Sequence, residues 1–162
     1  MTIHMIVPAL AMGLVLAACA GTPKQTPSPA SAPVGTPMTS LPAQNLAAGE
    51  CGLFLWSLQS PHNLIFFRKA GASTADSVLT GMETPLNVQS EGGKVFGQFL
   101  TDATYEARGG QRVSVSLVPG DMIQDGQRTK SAEIRVQSPE GWETIIPASG
   151  LTACIPEEGD GN

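Results

Sequence analysis

Apolar and polar side chains alternate in two segments of the second half of the chain. In "RVSVSLV" (112–118) valine and leucine alternate with serine, and in "AEIRVQ" (132–137) apolar residues alternate with charged or amide residues. A period of two is that of a strand with one buried face. The two segments are therefore predicted to be neighbouring strands of one antiparallel sheet.

Seven further segments are short, rich in β-branched, aromatic or leucine residues, and separated by turn residues. They are GLFLWSL (52–58), NLIFF (63–67), PLNVQ (85–89), KVFGQFL (94–100), ATYEA (103–107), WETIIP (142–147) and GLTAC (150–154). "VPGD" (118–121) predicts a type II turn and "SPEG" (138–141) a type I turn, whereas 71–81 has room for one short turn of helix. The chain is predicted to be all-β, a compact antiparallel sandwich or barrel of about eight to nine short strands.

The first predicted strand, which follows Cys51, is apolar on both faces, one carrying Leu53 and Leu55 and the other Phe54 and Trp56. The next segment, NLIFF, has the same character, and the two are predicted to form a hairpin across 59–62. Strands that are apolar on both faces are usually covered on both sides. We expect cover from a barrel interior plus a loop of the same chain; the alternative is a surface for a partner or a membrane.

The N-terminus has the pattern of an export signal. Residues 3–18 carry no acidic or basic side chain and run into "LAAC", which ends at Cys19. This resembles the lipobox of bacterial lipoproteins, a likeness that covers about residues 1–21. It implies a signal peptide over 1–18 and lipidation of Cys19 with diacylglycerol and a further acyl chain such as palmitate. The n-region lacks the usual basic residue, and the alternative is an ordinary signal peptide with Cys19 as a spare thiol.

The resemblance also implies a location. Acyl chains on Cys19 would anchor the protein in a membrane without spanning it. Ala20, where aspartate would signal retention at the inner membrane, favours the outer membrane, with the domain facing the periplasm or the cell surface. Residues 19–50 contain six of the thirteen prolines and no aromatic residue, so they are predicted to be a linker. It is either a passive spacer or an arm that reaches the cell wall or a partner.

The globular domain is predicted to span 51–155, followed by an acidic disordered tail over 156–162. Cys51 and Cys154 bracket this domain, and an exported protein meets an oxidising compartment, so we expect a disulfide between them. A reactive thiol pair is the alternative, but the C-x-x-C spacing is missing. The whole chain carries a formal charge of −5, and between the two cysteines eight basic residues face ten acidic ones. A nucleic-acid partner is not expected.

Motifs of catalysis are scarce. His62 is the one histidine downstream of the signal peptide, in a segment that reads as a turn, and the carboxylates are scattered singly. We therefore predict no metal, no cofactor, no catalytic residue and no enzymatic activity.

Interaction is the function that remains. The candidate surface takes aromatic residues from the first strands, residues of the segment 119–131, and the late tryptophan; these are Phe54, Trp56, Phe67, Met122, Arg128 and Trp142. Alternatively, Met122 and Ile123 simply extend two strands, and the tryptophans either stack on sugars or lie in the core.

The predicted function is a non-enzymatic structural or protein-interaction module of the bacterial envelope. The alternative is a glycan-binding or hydrolase-inhibitor module of the periplasm, with a cell-wall glycan or an attacking enzyme as its partner. Small lipoprotein inhibitors of lysozyme share the lipidated, disulfide-bearing β design, but their motifs are missing here. An enzyme ranks third.

Overall fold

The computed structural model describes residues 39–79 and 81–157, which form eight antiparallel strands and no helix. Each strand pairs with the next, and the last pairs with the first, so the sheet is a closed barrel. The strands are β1 (Cys51–Ser57), β2 (Leu64–Lys69), β3 (Thr74–Ser77), β4 (Thr84–Phe96), β5 (Phe99–Ala107), β6 (Arg112–Ile123), β7 (Gly126–Gln137) and β8 (Glu143–Cys154). The all-β prediction is confirmed, in its barrel form.

Several predicted details are also confirmed. β6 and β7 are antiparallel neighbours, and β1 and β2 form the hairpin across 59–62. The turn at 138–141 is closed by a hydrogen bond from the Gly141 amide to the Ser138 carbonyl, with an N–O distance of 3.0 Å. In the described ranges no helix has the length and apolarity needed to cross a membrane.

The type II turn predicted at 118–121 is wrong. β6 continues through it to Ile123, and the chain turns instead at 124–125, between the paired residues Ile123 and Gly126. The register of the β6–β7 ladder shifts on both sides of Pro119, and such an irregularity accommodates a proline that cannot donate a ladder hydrogen bond. Met122 and Ile123 therefore extend the strand, as the alternative interpretation had it.

Strand boundaries differ from the prediction in three further places. The segment 71–81 contains β3 rather than a turn of helix. WETIIP and GLTAC belong to one continuous strand, β8. KVFGQFL bends into the β4–β5 hairpin, because Gly97 has a φ of 60°, a conformation that favours glycine. The nine predicted segments thus become eight strands.

Side chains from all eight strands fill the barrel interior. Tyr105, Phe66, Phe96 and Leu55 are the largest fully buried ones. The ring of Phe66 meets that of Tyr105 edge-on, with centroids 5.4 Å apart. An eight-stranded barrel is just wide enough to be filled in this way. The interior is therefore the hydrophobic core.

The outer face of β1 and β2 is covered by residues 39–50, a segment named here the strap. Leu41 is 5% exposed and packs with Phe67 and Val78, and its amide donates to the carbonyl of Leu64, with an N–O distance of 2.7 Å. Phe54 also belongs to this second cluster. Both apolar faces of β1 are thus covered by the chain itself, and the strap is folded although its composition is that of the predicted linker.

The predicted disulfide is present. Cys51 and Cys154 lie directly opposite each other in the β1–β8 ladder, with an S–S distance of 2.03 Å. The bond therefore joins the first and last strands at the seam where the barrel closes. The predicted signal peptide, Cys19, the linker before residue 39 and the end of the acidic tail lie outside the described residues.

Candidate functional site

Three residues of the predicted interaction surface, Phe54, Trp56 and Phe67, lie together, and the other three lie elsewhere. Phe67 is buried beneath the strap, and Phe54 and Trp56 are half-buried, their rings stacked with centroids 6.0 Å apart. Met122 and Arg128 are exposed beside the β6–β7 turn. Because β7 runs from this turn to the other end of the barrel, Trp142 on the β7–β8 turn lies at the opposite end.

Trp56 and Trp142 also cannot form one sugar-stacking surface. Trp56 lies opposite Ser149 on β8, seven residues further along the chain than Trp142. At about 3.3 Å per residue this separation is roughly 23 Å along the strand. Trp142 is 80% exposed and stands apart from the Phe54–Trp56 stack.

Large apolar side chains are nevertheless concentrated at the end of β8 that carries Trp142. Leu58 and Ile145 are each 49% exposed, and Pro147 between them is exposed as well. The Leu58 amide donates to the Pro147 carbonyl with an N–O distance of 3.1 Å, which places β1 and β8 side by side here. We name Leu58, Trp142, Ile145 and Pro147 the β8 patch.

Charged side chains border the β8 patch. Arg135 lies opposite Ile145 in the β7–β8 ladder, and Glu133 lies opposite Pro147. The Arg135 guanidinium donates to Glu133 at 2.7 Å and to Glu143 at 2.8 Å. An apolar centre with a polar, ion-paired margin is the usual composition of a protein-binding surface.

A second feature is a cleft of about 660 Å³ at the other end of the barrel. It lies between the β2–β3 turn, which includes Gly71, Ala72 and Ser73, and the β4–β5 hairpin. Arg68 and Glu91 line it together with the apolar residues Val88, Val95, Phe99 and Leu100.

Arg68 is 5% exposed because it lies on the interior face of β2, opposite Leu53 and two residues after Phe66. Its Nη1 and Nη2 donate to the two carboxylate oxygens of Glu91, at 2.6 and 3.1 Å. Nε and Nη2 donate to the carbonyl of Ala72, and Nη1 also reaches the Tyr105 hydroxyl at 3.5 Å. All five N–H groups of the guanidinium thus have partners.

Glu91 reaches Arg68 because β4 contains a bulge. The register with β5 shifts between Val88 and Ser90, and the extra residue places Glu91 opposite Ala103, on the interior side of the strand. Hydrogen bonds from Arg68 lower the pKa of Glu91, against the opposing effect of burial. Burial raises the pKa of Tyr105, although the positive charge of Arg68 partly offsets it.

This arrangement is a clamp between β2 and β4 rather than a reactive centre. The two charges neutralise each other, the guanidinium has no free donor, and the phenol of Tyr105 is held in its neutral form. Sequence reasoning missed Arg68. The available signal was its position two residues after Phe66 on a strand whose faces are both buried, which places a charge inside the barrel.

His62 lies exposed in the β1–β2 loop, where its Nδ1 is 3.0 Å from the backbone carbonyl of Ser57. Across the residues that the structure describes, no group of three or more histidine, cysteine or acidic side chains is placed to hold a metal ion. Comparison of the chain with models of protein families, with curated proteins and with solved structures finds no match. Function must therefore be argued from the geometry.

Proposed function

We propose that the chain is a lipid-anchored protein of the bacterial envelope, held by acyl chains on Cys19, whose barrel is a non-enzymatic protein-interaction module. The observation that carries this proposal is the β8 patch. Leu58, Ile145 and Trp142 are between 49% and 80% exposed and lie at the same end of the barrel. Exposed apolar side chains that lie together with a polar margin mark interaction sites.

The partner is a protein with an apolar anchor and a mixed-charge margin. A tryptophan or aliphatic side chain of the partner would pack against Ile145 and Pro147, and the Arg135 ion pairs would lie at the margin. Energy in such interfaces comes from a few central apolar residues, and Trp142 is of the type that contributes most. The outer membrane is the favoured location, so this partner would be a protein of the periplasm or the outer membrane.

The test is site-specific photo-crosslinking in intact cells followed by mass spectrometry. A photoreactive residue at Ile145 should capture one dominant protein, whereas the same residue at Glu106, which is exposed on β5, should not. Ile145→Asp should abolish copurification of that protein while leaving the thermal unfolding temperature unchanged. Equal capture at both positions, or copurification that survives Ile145→Asp, would rule the proposal out.

A glycan-binding module is the second candidate, and the exposure of Trp142 favours it, since an open indole can stack on a sugar ring. Titration with soluble peptidoglycan fragments distinguishes the two functions. A glycan binder shows saturable quenching of Trp fluorescence, and both Trp142→Phe and Trp142→Ala remove it because each deletes the indole that reports binding. A protein-interaction module shows no such response.

A further inference from the structure

β4 is longer than its neighbour β3, and this leaves an unpaired strand edge at the wall of the barrel. The β3–β4 ladder ends at the pair of Thr74 and Asn87, followed by a hydrogen bond from the Val88 amide to the Ser73 carbonyl, at 2.9 Å. β4 continues to Phe96 and pairs there with β5 alone. In the described part of the chain, the side of residues 89–95 that faces away from β5 has no strand partner.

The cleft of about 660 Å³ lies along this edge. Arg68 and Glu91 line it as an ion pair, which offers no net charge to an ionic ligand. Its walls include Val95, which is 75% exposed, and Leu100, which lies opposite Val95 in the β4–β5 hairpin. The cleft therefore offers backbone hydrogen-bonding groups beside apolar side chains.

We propose that the free edge of β4 binds an extended peptide segment of a partner protein, which adds to the sheet as a further strand. Unpaired backbone N–H and C=O groups along a strand are satisfied by another strand, as β3 satisfies those of β4 up to Val88. An edge of seven residues accommodates a peptide of roughly 20 Å at about 3.3 Å per residue. The side chains of such a peptide that point into the cleft meet Val95 and Leu100, so apolar residues at alternate positions are preferred.

Features of β4 limit this pairing to a short strand. The register with β5 shifts twice, between Val88 and Ser90 and between Gly92 and Val95, and Lys94 adds an exposed charge. Bulges and charges of this kind keep natural strand edges from forming continuous sheets with other copies. The proposed pairing is therefore limited to a short strand. The free edge lies at the opposite end of the barrel from the β8 patch, so neither proposal depends on the other.

The experiment uses the full chain labelled with ¹⁵N and three acetylated, amidated hexapeptides that alternate threonine with valine, leucine or phenylalanine. At least one peptide should cause saturable amide shifts confined to residues 89–95 and 100, and should slow hydrogen exchange there. The same peptide methylated at every backbone nitrogen has no backbone N–H to donate and should cause neither effect.

Two matched variants test the location. Val95→Lys introduces a charge into the cleft and should weaken binding at least tenfold, whereas Val118→Lys, at an exposed position of β6 outside the cleft, should change it less than twofold. The proposal is overturned if none of the three peptides gives a saturable shift, if the methylated peptide binds equally well, or if both variants weaken binding alike. The hydrogen-exchange measurement needs no variant, so a misfolded mutant does not leave the question open.

Discussion

At the scale of single residues, Arg68 places a positive charge inside an apolar wall, so its effect on stability depends on Glu91. Arg68 is 5% exposed whereas Glu91 is exposed, so it is the loss of Glu91 that would leave a buried charge without its partner. Arg68 also ties the β2–β3 turn to the barrel through the Ala72 carbonyl. One side chain thus joins β2, β4 and the turn that borders the cleft.

Arg68→Met should lower the free energy of unfolding by about 1.5–3 kcal/mol, because the Ala72 carbonyl loses its charged donor, whereas Glu91 is exposed and is solvated by water. Urea unfolding followed by Trp fluorescence measures the change. Arg135→Met is the matched control, since Arg135 makes two ion pairs that are exposed, and it should cost less than about 1 kcal/mol. Equal decreases in the free energy of unfolding for the two variants would show that the burial of Arg68 does not add to its contribution to stability.

The lowered pKa of Glu91 predicts the direction of a pH effect. A carboxyl whose pKa is lower in the folded state stabilises the fold above its unfolded-state pKa and loses that contribution as the pH falls through the folded-state value. Wild-type stability should therefore fall from about pH 5 downward. Glu91→Gln cannot titrate and should show a shallower fall over the same range in urea unfolding series. Parallel curves for the two proteins would contradict the role of this ion pair.

Residue positions show where sequence reasoning succeeds and where it stops. The side chains of residues 112–118 and 132–137 alternate as their pattern predicts, because the ladder between these segments is regular and preserves a period of two. Glu91 was visible only as one of several single carboxylates. Glu91 faces inward because of the bulge before Ser90. The segment "NVQS" contains no glycine or proline that would have predicted this bulge. Arg68 and Glu91 are brought together by closure of the barrel, which local patterns do not encode.

At the scale of elements, the strap explains why β1 is apolar on both faces. Phe54 and Phe67, with ring centroids 4.9 Å apart, form the base on which Leu41 packs. An exposed ion pair between Glu50 and Lys69, at 2.7 Å, joins the other end of the strap to β2. Composition did not predict this packing, because two leucines among prolines, alanines and polar residues are typical of a linker. The signal lay instead in the apolar outer face of β1, which required a cover.

Leu41→Ala should loosen the strap and lower the free energy of unfolding by about 2 kcal/mol, the lower end of the range for a buried leucine, since the site is near the surface. Hydrogen exchange resolved by residue should show faster exchange of the Leu41 amide and of the strap, with β6 and β7 unchanged. Pro42→Ala, at the exposed neighbouring position, is the control. It should change the free energy of unfolding by no more than about 0.5 kcal/mol and leave the exchange rates of the strap unchanged. A strap that exchanges equally fast in both variants would mean that Leu41 does not hold it.

At the scale of the whole molecule, one closed sheet provides both proposed binding surfaces. The β8 patch lies at one end and the free edge of β4 at the other, separated by an interior filled with side chains. Sequence patterns predicted the strands, and the cysteines at the two ends of the domain indicated that these ends are adjacent. The order of the strands around the barrel and the excess length of β4 could not be predicted from the sequence, because both depend on the stagger of all eight strands.

The Cys51–Cys154 bond should be a major contribution to the stability of this barrel. It joins residues separated by 103 positions, and closing a loop of about 100 residues stabilises by up to about 4.7 kcal/mol through the entropy of the unfolded chain. It also joins β1 and β8, the first and last strands, which are neighbours only because the barrel is closed. The double variant C51S/C154S should therefore unfold on the order of 10–20 °C below the wild type under non-reducing conditions.

Reduction provides the matched control for this comparison. Wild-type protein treated with a strong thiol reductant should unfold at the temperature of the double variant, and the variant itself should not respond to the reductant. Hydrogen exchange should then rise first along the β1–β8 ladder, because its backbone pairing is no longer reinforced by a covalent bond between the two strands. If the double variant and the oxidised wild type unfold at the same temperature, the β1–β8 hydrogen bonds and the core hold the seam unaided, and the disulfide contributes no measurable stability.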